Sequence, residues 1–236
     1  MAVGDASLVR EPALIESLDG IAITRVAAGL VHSVFLSANG AVYTCGSNGH
    51  GQLGHENVAL GEDLTLPMRV DALADRCIVQ VACGSFHTFM LDSTGRVFVC
   101  GGGERGVLGV GDVPHCRTPR EVLVPSGARV VHMAAGHDVS VLIDARGMAY
   151  YMGRRLDGSD YRALTPMPLA TQAQVGRVHQ AAVGNSHVVL ETDRGVFALG
   201  ANTRGQLGRP VDPLPSARAT PVNLKPPHES YADIEV

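Results

Sequence analysis

Lysine is nearly missing: Lys225 is the only one among 19 basic residues, so arginine carries the positive charge. Arginine suits stacked or bidentate contacts with carboxylates, and it also serves ordinary surfaces. Neither end carries a basic arm, and the formal charge of −4 is spread along the chain. Nothing here therefore reads as a phosphate-gripping tail, and there is no direct signal for nucleic acid. Cysteine pairs at metal spacing are also lacking. There are five cysteines, none in a Cys-x-x-Cys pair, with Cys77 and Cys83 the closest two. They read as reduced thiols of an intracellular protein, cytoplasmic and nuclear being equally open. No apolar run approaches the ~18 residues of a membrane span, so no membrane partner is expected. The first residues show no basic stretch followed by an apolar one, so no signal peptide is visible in them. No segment has a helical period of useful length. What remains is 45% hydrophobic, ample for a packed core.

One phrase returns four times: Gly29-Leu-Val-His32, Gly84-Ser-Phe-His87, Gly136-His-Asp-Val139 and Gly184-Asn-Ser-His187. The glycines are 55, 52 and 48 positions apart. Two residues before each stands an alanine: Ala27, Ala82, Ala134 and Ala182. Eleven residues after each stands another glycine: Gly40, Gly95, Gly147 and Gly195. The runs between, such as Thr88-Phe-Met-Leu91 and Ser140-Val-Leu-Ile143, read as short strands buried on both faces. The second glycine closes a hairpin turn, where positive φ suits it. Return strands carry an aromatic residue and end in a third glycine, as in Val97-Phe98-Val-Cys-Gly101. Then comes Gly49-x-Gly51-Gln-Leu-Gly54, echoed by Gly106-Val-Leu-Gly109 and Gly205-Gln-Leu-Gly208.

Repeated short strands without helices imply an all-β radial array, a β-propeller of about fifty-residue repeats. The alanines fit a fold that narrows toward its axis. Prolines set the expected units: approximately 12–66, 67–118, 119–165 and 166–220, with 221–236 starting a fifth. Four repeat cores but five proline-led segments imply an incomplete propeller, within a larger protein or covered by a partner. An exposed blade face or strand edge is a liability in solution.

The phrases Val-Ala-Cys-Gly84-Ser-Phe-His87-Thr, Tyr43-Thr-Cys-Gly46-Ser-Asn-Gly-His-Gly-Gln-Leu-Gly54 and Leu199-Gly-Ala-Asn-Thr-Arg-Gly-Gln-Leu-Gly208 resemble the regulator of chromosome condensation repeat. The resemblance spans essentially the whole chain. It implies a propeller, usually seven-bladed, of which this chain would form a part. Members include the exchange factor for the Ran GTPase, the retinitis pigmentosa GTPase regulator, HERC ubiquitin ligases and the plant ultraviolet-B photoreceptor. They share a recognition surface and no single reaction. The photoreceptor's chromophores are tryptophans, and this chain has none, which excludes that role here. The third unit departs from the pattern: Val139 replaces histidine, and Tyr161 stands where the other units end in glycine. The exchange factor's inserted wedge has no evident counterpart.

Several motifs invite sharper chemistry. Gly49-x-Gly51-x-x-Gly54 spells a dinucleotide fingerprint, but that site needs a helix starting there. Glycines for tight turns are the expectation, with no cofactor. His32, His87 and His187 share one repeat position, so separate blades would hold them, hydrogen-bonded to neighbouring backbone, with no metal. His137, Asp138 and Ser140 spell a hydrolase-like trio, yet neighbours along a strand point to opposite faces. Cys45 and Cys100 share a position and read as small core residues.

Specificity on such a scaffold belongs to its loops. His50, Arg105, Asp157 and Arg204 each follow the third glycine of a unit by four residues, which puts them near one rim. Arg154, Arg155, Asp160 and Tyr161 crowd the divergent third unit, and arginine and tyrosine are common interface anchors. The sequence thus predicts no catalytic residues and a protein-interaction platform. The alternatives are a guanine-nucleotide exchange factor for a Ran-type GTPase and a targeting domain of a ubiquitin ligase.

Overall fold

A computed structural model describes residues 11–154, 156, 162–169, 172–211 and 216–222. Among these described residues, sixteen strands form four antiparallel sheets, each a simple up-and-down meander. The first holds β1 (Ile23–Ala28), β2 (His32–Ser37), β3 (Val42–Gly46) and β4 (Leu64–Arg69). The second holds β5 (Ile78–Cys83), β6 (His87–Asp92), β7 (Val97–Gly102) and β8 (His115–Val122). The third holds β9 (Val130–Ala135), β10 (Val139–Asp144), β11 (Ala149–Arg154) and β12 (Arg162–Pro168). The fourth holds β13 (Val178–Val183), β14 (His187–Thr192), β15 (Gly195–Gly200) and β16 (Ser216–Pro221). These are blades of a propeller, with β1, β5, β9 and β13 innermost.

The sheets are cut differently from the proline-led units. Pro67, Pro119, Pro166 and Pro221 lie inside the outermost strands β4, β8, β12 and β16. An edge strand tolerates a residue that cannot donate to the ladder. Each proline therefore closes one blade and does not open the next. Pro221 completes the fourth blade, and the only further described residue there is Val222.

Alternation along each strand explains the packing, since successive side chains face opposite sides. Val34, Leu36 and Val42 of blade 1 meet Ile78, Val81, Met90, Phe98 and Cys100 of blade 2. Phe89, Leu91, Val97 and Val99 face the other way, against Met133, Leu142, Tyr150 and Met152 of blade 3. Val141, Ile143 and Tyr151 continue onto Ala181, Leu190, Phe197 and Leu199 of blade 4. The two-sided burial expected for the second strands is thus one core layer per face.

Backbone bonds stitch neighbouring blades at both ends of the inner strand. At one end Ser85 N–H donates to the Gly136 carbonyl at 3.3 Å and Asp138 N–H to Asn185 at 3.1 Å. At the other, the hairpin glycine carbonyls Gly40, Gly95 and Gly147 accept from Ile78, Val130 and Val178. The repeated first glycine follows from this closeness. A Cβ on Gly84 would strike the Gly136 carbonyl and the His87 ring, and one on Gly29 the Gly84 carbonyl and the His32 ring. The third glycines have φ between 95° and 117°, and a side chain there would collide with the backbone at the start of the preceding strand.

Candidate recognition surface on the upper rim

The buried polar groups bind blade to blade. His32 Nε2 lies 2.9 Å from the Thr88 hydroxyl of blade 2, and His87 Nε2 lies 3.1 Å from the Ser140 hydroxyl of blade 3. The partners are hydroxyls of the next blade, where the sequence suggested backbone. Thr88 gives its own proton to the Gln52 carbonyl at 2.7 Å, so the His32 Nε2–H must be the donor. Burial pushes the His32 ring down to about 4 and the His87 ring to about 3, so both are neutral near pH 7. At the seam between blades 3 and 4 both partners change together. Val139 replaces the histidine, Val188 replaces the hydroxyl, and both join the apolar core. Ser140 is therefore engaged by His87, and Asp138 points elsewhere, so the hydrolase-like trio does not assemble. Gly49 to Gly54 forms turns with no helix after them.

The upper rim is the end of the sheets carrying the β1–β2 type turns and the long β3–β4 type loops. Asparagine and glutamine build those loops identically in blades 1 and 4. Asn48 accepts from Leu53 N–H and donates to the Val58 and Ala59 carbonyls, while Gln52 Oε1 accepts from His50 N–H at 2.8 Å. Asn202 accepts from Leu207 N–H and donates to Pro210, and Gln206 Oε1 accepts from Arg204 N–H at 2.8 Å. Leu53, Leu108 and Leu207 anchor three of the loops in the core.

His50, Arg105 and Arg204 occupy equivalent loop positions on this rim. Their environments differ. Arg204 is exposed. Arg105 spans blades: its Nη1 donates to Asp138 Oδ1 at 2.6 Å. The Ser186 hydroxyl of blade 4 donates to the other Asp138 oxygen at 3.1 Å, and Arg154 Nη1 lies 3.9 Å from it. Asp138, only 5% exposed, thus gathers groups from blades 2, 3 and 4, while Arg105 and Arg154 remain 51% and 46% exposed. His50 packs its ring against Phe86 at 4.8 Å and His115 at 5.4 Å. Arg155, Asp157, Asp160 and Tyr161 lie outside the described residues.

Sequence reasoning missed Asp138, Phe86 and His115 as partners of the rim residues. The available signal was the break in the repeat at 138–139, where a carboxylate and a valine interrupt the pattern. A rim cavity of about 130 Å³ is lined by His50, Phe86, Glu104, Arg105 and His137. A larger space of about 520 Å³ lies along the axis, walled by Gly29, Gly84, Gly136 and Gly184 with their neighbours. All five cysteines are free thiols; burial drives Cys83 up to about 12 and Cys100 also upward. Among the described residues no group of three or more His, Cys, Asp or Glu could hold a metal ion. None of their helices is long and apolar enough to cross a membrane, which leaves membrane strands unaddressed.

Fold and rim define a propeller blade array whose variable surface is a set of loops on a hydrogen-bonded frame. Residues 39–91 and 94–143 match the Regulator of chromosome condensation (RCC1) repeat, and 23–52 and 78–107 match a second description of that repeat. The chain is 36% identical over 213 residues to the human E3 ubiquitin-protein ligase HERC2, covering 87% of this chain and 4% of that protein. It is 28% identical over 223 residues to the serine/threonine-protein kinase Nek9 of Xenopus laevis, covering 87% and 24%. The chain belongs to the RCC1 repeat family. Among solved structures, human WBSCR16 is 27% identical with a TM-score of 0.74, covering 84% of this chain and 51% of that one. Yeast RCC1 (Prp20), solved bound to Kap60, shares the fold at 21% identity and a TM-score of 0.75, covering 89% and 50%. The chain therefore spans about half of these solved chains and a quarter or less of these two curated relatives.

Proposed function

We propose that this propeller segment is a non-catalytic protein-interaction platform whose upper-rim loops do the recognising. One observation carries this reading. The buried polar side chains at the seams, His32, His87 and Asp138, are engaged in joining blades, while half-exposed rings and guanidiniums sit together on the rim. Clusters of aromatic residues and arginine are the usual anchors of protein interfaces. The likeness to HERC2 supports a second reading of the same kind, a targeting segment within a ubiquitin ligase.

The test is capture of the full gene product from its native cells, with crosslinking and mass spectrometry. Stoichiometric partners crosslinked to the loops 47–62, 103–113 and 201–210 are expected. Crosslinks confined to the lower hairpins would overturn the rim assignment. Nucleotide release from a Ran-type GTPase should be unchanged at micromolar propeller. Faster release, abolished by charge reversal on the rim, would replace the platform with an exchange factor.

A further inference from the structure

Four rings stand in a row across the upper rim: His115, His50, Phe86 and His137, with centroids 5.4, 4.8 and 6.0 Å apart. The repeat does not demand them. The position of Phe86 holds Val31, Asp138 and Ser186 in the other blades, and that of His50 holds Arg105 and Arg204. All four rings are half-buried, so each keeps an open edge. Beside them lies the rim cavity of about 130 Å³, the size of one side chain.

The fixed cationic donor in the wall of this cavity is Arg105. Arg105 and Arg154 converge on Asp138, so two guanidiniums share one carboxylate that the protein has already buried. That carboxylate also receives Ser186 and has His137 Nε2 at 3.7 Å, which holds Arg105 in place. Nδ1 of His50 and of His115 have no hydrogen-bond partner. Glu104 is the one carboxylate lining the cavity itself. A cationic side chain entering here would meet Arg105 in the cavity wall, whereas a carboxylate would find that guanidinium pre-placed, with Arg154 beyond it on the other oxygen of Asp138. Planar, fixed guanidiniums favour bidentate capture of a carboxylate.

We infer that the rim pocket takes an acidic side chain of a partner polypeptide, with its carboxylate on Arg105 and Arg154 and an adjoining apolar residue against Phe86 and His50. This rests on the platform reading and names the chemistry of the partner. Asp138 is the positioning residue, since it fixes Arg105 without touching the ligand.

The test uses fluorescence anisotropy with the intact chain and two short fluorescein-labelled peptides. One has the core Glu-Leu-Glu-Phe-Glu-Leu, and the other has Gln for every Glu. The acidic peptide should bind about tenfold tighter than its amide twin, and salt should weaken it. Arg154→Gln and Phe86→Ser should each weaken it about tenfold with little change in melting temperature, while Arg204→Gln should leave it unchanged. Equal binding of the two peptides would overturn the inference, as would an Arg204→Gln effect equal to that of Arg154→Gln. Tighter binding of a Lys-for-Glu peptide would also overturn it and assign the pocket to cations through Glu104. Native partners crosslinked elsewhere on the rim would sink this pocket while leaving the platform standing. Selective acidic binding without any native rim partner would do the reverse.

Discussion

His32 and His87 perform one task at two successive seams, reaching from their own blade to a hydroxyl on the next. Both rings are held neutral by burial, and this has a definite pH signature. Above their ordinary value of 6.5 neither the folded nor the unfolded chain binds a proton at these sites. Below it the unfolded chain takes up protons that the folded chain refuses until about pH 4 at His32 and about pH 3 at His87. Stability should therefore fall as pH drops from 6.5 toward 4, by on the order of a few kcal/mol. Thermal melts at pH 7, 5.5 and 4.5 will show this. A His32→Asn/His87→Asn variant should start lower, because it loses buried hydrogen bonds, but respond less to pH. A slope as steep as that of the parent would mean that other groups control acid stability.

The long loops after β3 and β15 show how one side chain can organise a whole element. Asn48 and Asn202 each tie a loop together, the amide oxygen accepting a backbone N–H and the amide nitrogen donating to backbone carbonyls further along, in place of regular backbone pairing. Asn48→Ala should leave the sheet intact yet free the loop 47–62, at a cost of about 1–3 kcal/mol for buried groups left unpaired. Hydrogen exchange should rise in that loop alone; a rise across β1 to β4 would mean that the loop supports the blade. These loops were half legible in the sequence. Asn-x-x-Gly-Gln-Leu-Gly announces tight turns because glycine and asparagine act locally, and the hairpins closed by Gly40, Gly95 and Gly147 were readable for the same reason. The outer strands were placed in the wrong unit, because a proline beside a loop resembles a boundary equally well from either side. The Asp138 cluster was harder still: its members come from three blades, and no local period reveals that they meet.

At the scale of the molecule, the described residues cover the two middle blades on both faces and the outer two on one face only. Val26 of β1 is 70% exposed, although its counterparts Val81 and Met133 are 8% and 2% exposed. Glu191 in β14 takes a position held by Leu36, Leu91 and Ile143 elsewhere, and it too is exposed. In an array where each blade is supported by its neighbours, stability is a sum over seams. Hydrogen exchange of the isolated chain should be slowest in β6 and β10 and faster in β2 and β14. Uniform protection would show that something, such as a second copy, covers the outer faces.

The seams also limit how this chain can be rearranged. A blade whose second strand opens with histidine meets a hydroxyl of its successor, as at His32–Thr88 and His87–Ser140, whereas Val139 shares an apolar core with Val188. The blades look interchangeable in outline, yet each carries an address for its neighbour. Recombination or duplication that joined the third blade to a hydroxyl-bearing successor would set a valine against an unpaired polar group. Order along the arc is therefore written into pairs of residues, and a change on one side of a seam is tolerated only when the other side changes with it.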